Sequence, residues 1–245
     1  MNWYDRAEIC DILFGWDPRA EAEFILGASA SWGIASPRRV LEPLCGSGRL
    51  LRPFSGSVGF DLNPNMLRWA ARESRVFRAD AARFAVRKTS FDLAHCLIDS
   101  FRHLLTEEDA RSHLRAVGLA LRPGAVYVLG LDVTGDLEGD ASVEEWTMER
   151  DGIRVEGYVT ALGDADPDTR LETGHFRMDV YRGGRYERIE SFQQLRVYSR
   201  RQVEDLIDGE GSFEIAAVFD RRYDLSDPVE LDDIAGSAVF VLRRS

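Results

Sequence analysis

The sequence is poor in the residues that usually announce a metal site, a disulfide scaffold or a nucleic-acid binder. Three cysteines, Cys10, Cys45 and Cys96, are odd in number and far apart, so they make neither a disulfide framework nor a CxxC pair. Four histidines, at 95, 103, 113 and 175, show no HxxxH-type spacing, and no metal is expected. There is one lysine, Lys88, and Lys+Arg 31 falls short of Asp+Glu 42, for a net charge of −11. Non-specific affinity for nucleic acid comes from neutralising phosphates, so no nucleic-acid partner is expected. No run of about 18 uncharged apolar residues exists, and Met1–Arg6 has no apolar stretch behind its charges. The expectation is a cytoplasmic protein without membrane contact.

What is present suffices for a packed core. Apolar residues are 44% and charged residues 30% of 245 positions, which fits one large domain or a domain carrying an insert. The first 35 residues read as helical, with Asp17-Pro18 opening a helix that stops near Gly27. Strands then alternate with helices: Arg39–Leu41, Ser57–Asp61, Arg75–Arg78, Phe91–Ile98 and Ala125–Leu131. Asn63-Pro64 and Thr106 cap the helices between them, the second carrying Ala110, Leu114, Val117 and Leu121 on one face until Pro123-Gly124. Parallel strands need crossover connections, so this rhythm predicts an α/β fold with helices on both faces of the sheet.

The rhythm changes after residue 140. Asp151-Gly152 and Gly183-Gly184 suit two-residue hairpin turns between apolar alternating segments. Residues 140–197 therefore read as an antiparallel meander of about four strands. A capping box at Ser199–Gln202, a helix and two strands, Phe213–Phe219 and Ala238–Leu242, resume the α/β pattern behind it. The meander is thus an insert, with residues 1–139 and 198–245 forming the main domain. The insert is expected to line the substrate side.

Gly46 and Gly48 follow the first strand, where a glycine turn lets a ligand approach the backbone at a helix start. Glu42, Asp61 and Asp80 stand at the carboxyl ends of three successive strands, the edge at which open α/β sheets bind ligands.

Val40–Arg49, Gly59–Leu67, Phe77–Ala81, Phe91–Ser100 and Leu119–Ala125 together resemble the ordered motifs of class I S-adenosylmethionine-dependent methyltransferases. The resemblance spans roughly residues 38–132, and the closing helix and strands agree with it. It implies a Rossmann-like, mostly parallel seven-stranded sheet and S-adenosylmethionine as cofactor. By the same resemblance Gly46 and Gly48 line the methionine part, and Glu42 lies near its amino group. Asp61 takes the ribose hydroxyls, Leu62 packs on adenine, and Asp80 with the Ala81 amide receives the adenine edge. Cys96 and Leu97 lie beneath the cofactor, and the N-terminal segment with Tyr4 and Trp16 folds over it as a lid. Leu44 departs from the pattern, which most often has glycine there.

Methyl transfer from a sulfonium needs an aligned nucleophile, and a base only where the acceptor must lose a proton. Asp99 and His103, just after the fourth strand, are the candidate catalytic residues; capping of the turn and packing under the next helix are the structural alternatives. His95 reads as a core or sheet-face histidine, His113 as lying on a polar helix face, and His175 as exposed in the meander. Trp146, Tyr158, Phe176, Arg177, Arg196, Tyr198 and Tyr223 are candidates for an acceptor pocket. The expected activity is methylation of a small molecule by a monomer or homodimer. An NAD-dependent oxidoreductase is the rival enzyme, but Gly46–Leu51 lacks the third glycine of its fingerprint. A non-catalytic S-adenosylmethionine-binding protein is the rival from another class.

Overall fold

A computed structural model of the chain describes residues 2–134, 143–234 and 236–245. Its central sheet has the order β11-β12-β5-β4-β1-β2-β3. These strands are β1 (Val40–Pro43), β2 (Val58–Asp61), β3 (Arg75–Arg78), β4 (Phe91–Cys96), β5 (Leu121–Thr134), β11 (Phe213–Asp220) and β12 (Gly236–Arg244). The first five pair in parallel, and β12 runs antiparallel between β5 and β11. A two-residue strand, β10 (Tyr198–Ser199), adds a short parallel pairing to the end of β5. The expected seven-stranded, mostly parallel sheet is present.

Strand alternation divides the core between the two faces. Tyr127, Leu129, Phe240 and Leu242 pack with α4 (Glu107–Ala120) and α5 (Arg200–Glu210). Val126, Val128, Val239 and Val241 pack with Phe24, Ile25 and Ala28 of α2 (Arg19–Ser31). Asn63 caps α3 (Pro64–Ala70), accepting from the amides of Asn65 and Met66, as its place before Pro64 predicts. The expected stop at Gly27 does not occur. The helix runs through to Ser31, and a Cβ at Gly27 would meet Leu225 Cδ1 at 2.2 Å, so this glycine admits a neighbour instead of ending a helix.

Four strands form a separate antiparallel sheet in the order β6-β7-β8-β9: Val143–Arg150, Ile153–Ala161, Leu171–Arg182 and Arg185–Arg196. Asp151-Gly152 and Gly183-Gly184 both have positive φ at both positions, as two-residue hairpin loops require. In chain order this sheet lies between β5 and α5; the expected boundary at 139/140 lies outside the described residues. Its inner face carries Val155, Phe176, Met178 and Ile189 and packs on Trp3 and on α1 (Ala7–Leu13). The N-terminal segment thus fills the space between the two sheets.

Candidate active site

The chain leaves β1 and turns through Leu44, Gly46 and Gly48, all with positive φ (55°, 50° and 80°). A left-handed backbone is free for glycine and costs an L-residue about 1–2 kcal/mol. Leu44 therefore keeps the backbone geometry that suits glycine while bearing a side chain. A Cβ on Gly46 would meet nothing within 4 Å, so the loop borders open space there. Gly48 is different: its missing Cβ would approach Ala70 Cβ at 3.1 Å. It lets the loop pack on α3 and, contrary to expectation, is not among the residues lining the adjoining cavity.

That cavity is about 490 Å³ and lies at the carboxyl edge of β1, β2 and β4. Glu42, Gly46, Asp61, Leu62, Asp80, Ala81, Leu97 and Tyr4 all line it, so eight of the ten expected cofactor residues converge. Asp61 locks the loop to β2, its Oδ2 accepting from Gly46 N (2.9 Å) and its Oδ1 from Asn63 N (2.8 Å). Burial raises its pKa, opposed by these amides. Glu42 is buried with Oε2 lacking any partner, and burial raises its carboxyl well above the ordinary range despite nearby Arg49. Arg49 is also buried; it pairs with Glu21 (2.8 Å) and covers the Trp16 ring at 4.6 Å, and its Nη1 has no partner. Leu62 is 55% exposed, an apolar side chain at the rim of a polar loop. Asp80 Oδ1 accepts from Ala82 N (2.9 Å), which fixes the turn after β3.

Two buried groups are placed differently from expectation. His113 is fully buried, not on a polar face: its Nδ1 lies 2.9 Å from the Ala81 carbonyl and its Nε2 2.9 Å from the Tyr127 hydroxyl. Burial holds its pKa down at about 4, so the ring is neutral. A carbonyl only accepts, hence Nδ1 carries the proton and Nε2 accepts from Tyr127. The strand residue Tyr127 thereby props up the Ala81 turn through His113. Cys96 does not line the cavity; it packs in the main core beside Tyr127, one residue out of phase with Leu97, which does. His95 is in the core as expected, both ring nitrogens unpartnered and its pKa pushed down to about 3 by burial.

After β4, Ile98 and Asp99 adopt consecutive left-handed conformations (φ 58° and 59°). The turn lies tight against β5, where a Cβ on Gly130 would meet Leu97 Cα at 3.2 Å. Asp99 Oδ1 accepts from Asp132 N (2.9 Å) and Oδ2 from Arg102 Nη1 (2.8 Å). Arg102 also pairs with Glu172 of β8 and donates to the Arg196 carbonyl (2.9 Å). Burial pushes Asp99 up to about 7, with Arg102 opposing and Asp132 adding to the rise. His103 lies 3.1 Å from the Tyr4 hydroxyl, and burial holds it down at about 4, so it is neutral.

These residues open onto a second cavity of about 720 Å³. Tyr4, Phe14, Ile98 and His103 line both cavities and form the partition between them. Trp3, Trp16, Trp146, Phe176 and Tyr223 give the second cavity aromatic walls, and Asp99, Asp132, Glu144 and Glu172 give it carboxylates. Of the expected acceptor-pocket residues, Trp146, Phe176 and Tyr223 are there. Tyr158 and Arg177 instead stack on each other (4.3 Å) on the opposite face of the antiparallel sheet, since their strand positions alternate with those facing inward. Arg196 and Tyr198 are buried, Arg196 Nη1 donating to the carbonyls of Leu105 and Thr169. His175 is half-buried, stacked on Phe192. Sequence reasoning missed Glu21 and Glu172. A glutamate in the inward phase of β8, among Gly174, Phe176 and Met178, was the available signal.

A methyltransferase-domain family model matches residues 40–124, from β1 into the start of β5. The chain is 30% identical over 233 residues to a glycine/sarcosine N-methyltransferase of Parasynechococcus marenigrum (strain WH8102), covering 89% of this chain and 78% of that protein. An S-adenosylmethionine-dependent methyltransferase from Clostridium acetobutylicum superposes with a TM-score of 0.78 over the whole of both chains at 21% identity. The S-adenosylmethionine-bound CalS10, an amino pentose methyltransferase from Micromonospora echinaspora, superposes with a TM-score of 0.72 at 20% identity, over 100% of this chain and 98% of that one. The chain belongs to the class I S-adenosylmethionine-dependent methyltransferases. S-adenosylmethionine is its cofactor, and the NAD-dependent alternative falls away.

Proposed function

We propose that the chain is a small-molecule N-methyltransferase whose cofactor occupies the 490 Å³ cavity and whose acceptor occupies the 720 Å³ cavity. The observation that carries this reading is that Tyr4, Phe14, Ile98 and His103 line both cavities, which sets a carboxylate-lined chamber beside the cofactor edge. The nitrogen acceptor is supported by the name of the relative from Parasynechococcus marenigrum, an N-methyltransferase.

The residues fit the cofactor. The partnerless Oε2 of Glu42 is an acceptor awaiting a donor, and the partnerless Nη1 of Arg49 is a donor awaiting an acceptor. An amino-acid moiety offers an ammonium and a carboxylate to such a pair. In this reading Glu42 and the Gly46 loop hold the methionine end, Asp61 the ribose hydroxyls, and Leu62, Asp80 and the Ala81 amide the adenine, with Leu97 below. Tyr4 closes the site from the N-terminal segment. Gly48 shapes the loop and Cys96 belongs to the core. S-adenosylmethionine supplies a methyl group already activated by its sulfonium.

The protein's own chemistry then reduces to excluding water, orienting the acceptor and taking a proton. A protonated amine has no lone pair, so it must lose a proton before it can act as a nucleophile. Asp99 is the base in this reading: it lines the acceptor cavity and titrates about 7, where a carboxylate can both accept and release a proton. His103 titrates about 4 and serves as a neutral hydrogen-bond partner of Tyr4. The antiparallel sheet, proposed as a functional unit of its own, supplies the far wall with Trp146, Glu172 and Phe176. Calorimetric titration with S-adenosylmethionine, followed by methyl transfer to a panel of amines, alcohols and phenols, tests the reading. Tight cofactor binding with turnover confined to amines is expected. Turnover of oxygen acceptors alone would overturn it.

A further inference from the structure

The acceptor cavity is chemically lopsided. Asp99 and Glu172 share a single guanidinium, Arg102, so this buried end sets two carboxyl groups against one cation. All three nitrogens of Arg102 are engaged: Nη1 by Asp99, Nη2 by Glu172 and Nε by the Arg196 carbonyl. The cavity's other guanidinium, Arg221, pairs with Asp132 (3.2 Å) and approaches Glu144 (3.9 Å). Among the described residues lining the cavity, no cation is free of a carboxylate. A ligand carboxylate brought in here would face Asp99, Asp132 and Glu172 beside guanidiniums that already hold carboxylates, and like charges close together in a desolvated site repel strongly.

A second, independent feature concerns the body of the ligand. The indole Nε1 of Trp3, a fully buried residue in the wall of this cavity, has no hydrogen-bond partner. An indole N–H only donates, so it calls for an oxygen acceptor, a need that a hydroxyl or ether oxygen meets without bringing in charge. The flanking rings of Trp146 and Phe176 suit an ammonium or an apolar face. At about 720 Å³ the chamber also holds far more than the five heavy atoms of glycine.

We infer that the acceptor is an amine whose body bears no carboxylate, its ammonium seated against the Asp99–Glu172 pair and its hydroxyl or ether oxygens facing Trp3. This inference rests on the amine-transfer reading above, and it separates the chain from the glycine- and sarcosine-directed activity named for its relative. Glu172 is a specificity-determining residue in this arrangement, acting on which amines enter rather than on the methyl group.

The test uses the protein loaded with S-adenosylhomocysteine and reads binding by calorimetry. The probes are matched pairs: ethanolamine against glycine, benzylamine against phenylglycine, and glucosamine against glucosaminic acid. The amine of each pair is expected to bind at least tenfold tighter than its acid. Glu172→Gln is expected to shrink that preference severalfold without changing S-adenosylmethionine affinity; Asp132→Asn, which leaves Arg102 fully paired, is expected to shrink it less. An acid binding as tightly as its amine overturns the inference and leaves amine transfer standing. A preference unchanged in both variants also overturns it. Failure of every probe to bind, with S-adenosylmethionine still bound, overturns both readings together.

Discussion

The two cavities are built in opposite ways. The cofactor cavity takes most of its wall from one stretch of chain, residues 42–103, with each functional side chain at a strand end or in the turn that follows. The acceptor cavity gathers Trp3, Asp99, Trp146, Glu172 and Tyr223 from the N-terminal segment, the turn after β4, the antiparallel sheet and the stretch beyond β11. In the first, topology alone brings the groups together, because parallel strands present their carboxyl ends at one edge. In the second, only the packing of two sheets around α1 does so. Changes in the first region should therefore act on cofactor affinity, and changes in the second on acceptor and turnover.

The largest effect that tests this division comes from the acceptor cavity. Asp99→Asn keeps the size of the side chain and its acceptor for Asp132 N but removes the base, so turnover should fall by roughly 10²–10⁴-fold. S-adenosylmethionine affinity should hardly move. A base works when deprotonated, so wild-type turnover should fall as pH drops through about 7, the value to which burial lifts Asp99. The asparagine variant should lose that inflection. An unchanged pH profile in the variant would take the proton away from Asp99 and leave catalysis to positioning.

Asp61→Ala is the counterpart on the cofactor side. It removes the carboxylate that holds Gly46 N and Asn63 N, so cofactor affinity should fall by about 1–3 kcal/mol, or roughly 5- to 150-fold. Acceptor binding to the cofactor-loaded protein should stay within a factor of two or three. Calorimetry on both ligands checks the separation; a variant that loses both equally shows the two cavities to be one coupled site.

The same division explains what the sequence made legible. Glu42, Asp61 and Asp80 could be placed because each stands at or just beyond the carboxyl end of its strand, and the hairpins because Asp151-Gly152 and Gly183-Gly184 can hold positive φ. The Asp99–Arg102–Glu172 cluster joins residues 73 positions apart, and no local pattern encodes that. His113 was misread because its neighbours on α4 are charged; what buries it is the approach of the Ala81 turn and Tyr127, a tertiary fact. Gly48 and Gly46 look alike in sequence, and only the nearness of Ala70 distinguishes the packing glycine from the one at the cavity.

Acid stability sharpens the contrast at a smaller scale. His95, His103 and His113 are held down at about 3, 4 and 4 by burial, against about 6.5 when unfolded. A lowered folded pKa gives stability that is complete above the unfolded value and is lost as pH falls toward the folded one. The Tm should therefore drop between pH 6.5 and 4. Asp99, shifted upward, works in the opposite sense, favouring the fold at low pH and ceasing to do so as pH rises toward 7. The clean comparison is thus variant against wild type. His95 makes no hydrogen bond, so His95→Leu should lose little at pH 7.5 and lessen the acid drop by several degrees, as scanning calorimetry at both pH values would read. An identical drop in the variant would place the acid sensitivity at His103 and His113, beside the two cavities.

The smallest expected effect is also the most local. Leu44 stands at φ 55° in the cofactor loop, where the backbone pays for a Cβ, yet its side chain packs against the main core. Leu44→Gly relieves about 1–2 kcal/mol of left-handed strain. It gives back about 0.5–1 kcal/mol through a looser unfolded chain and about as much again in lost apolar burial. The net change should lie within about 1 kcal/mol of zero. Leu44→Ala loses the same burial but keeps the strain, so it should be the less stable of the two variants. Alanine ordinarily outranks glycine in a folded segment, and the expected reversal isolates the backbone contribution from the side chain's. Chemical denaturation of both variants measures the order directly. If alanine proves the more stable, the loop does not hold residue 44 in a left-handed conformation, and the path of the chain past Gly46 differs from the one described.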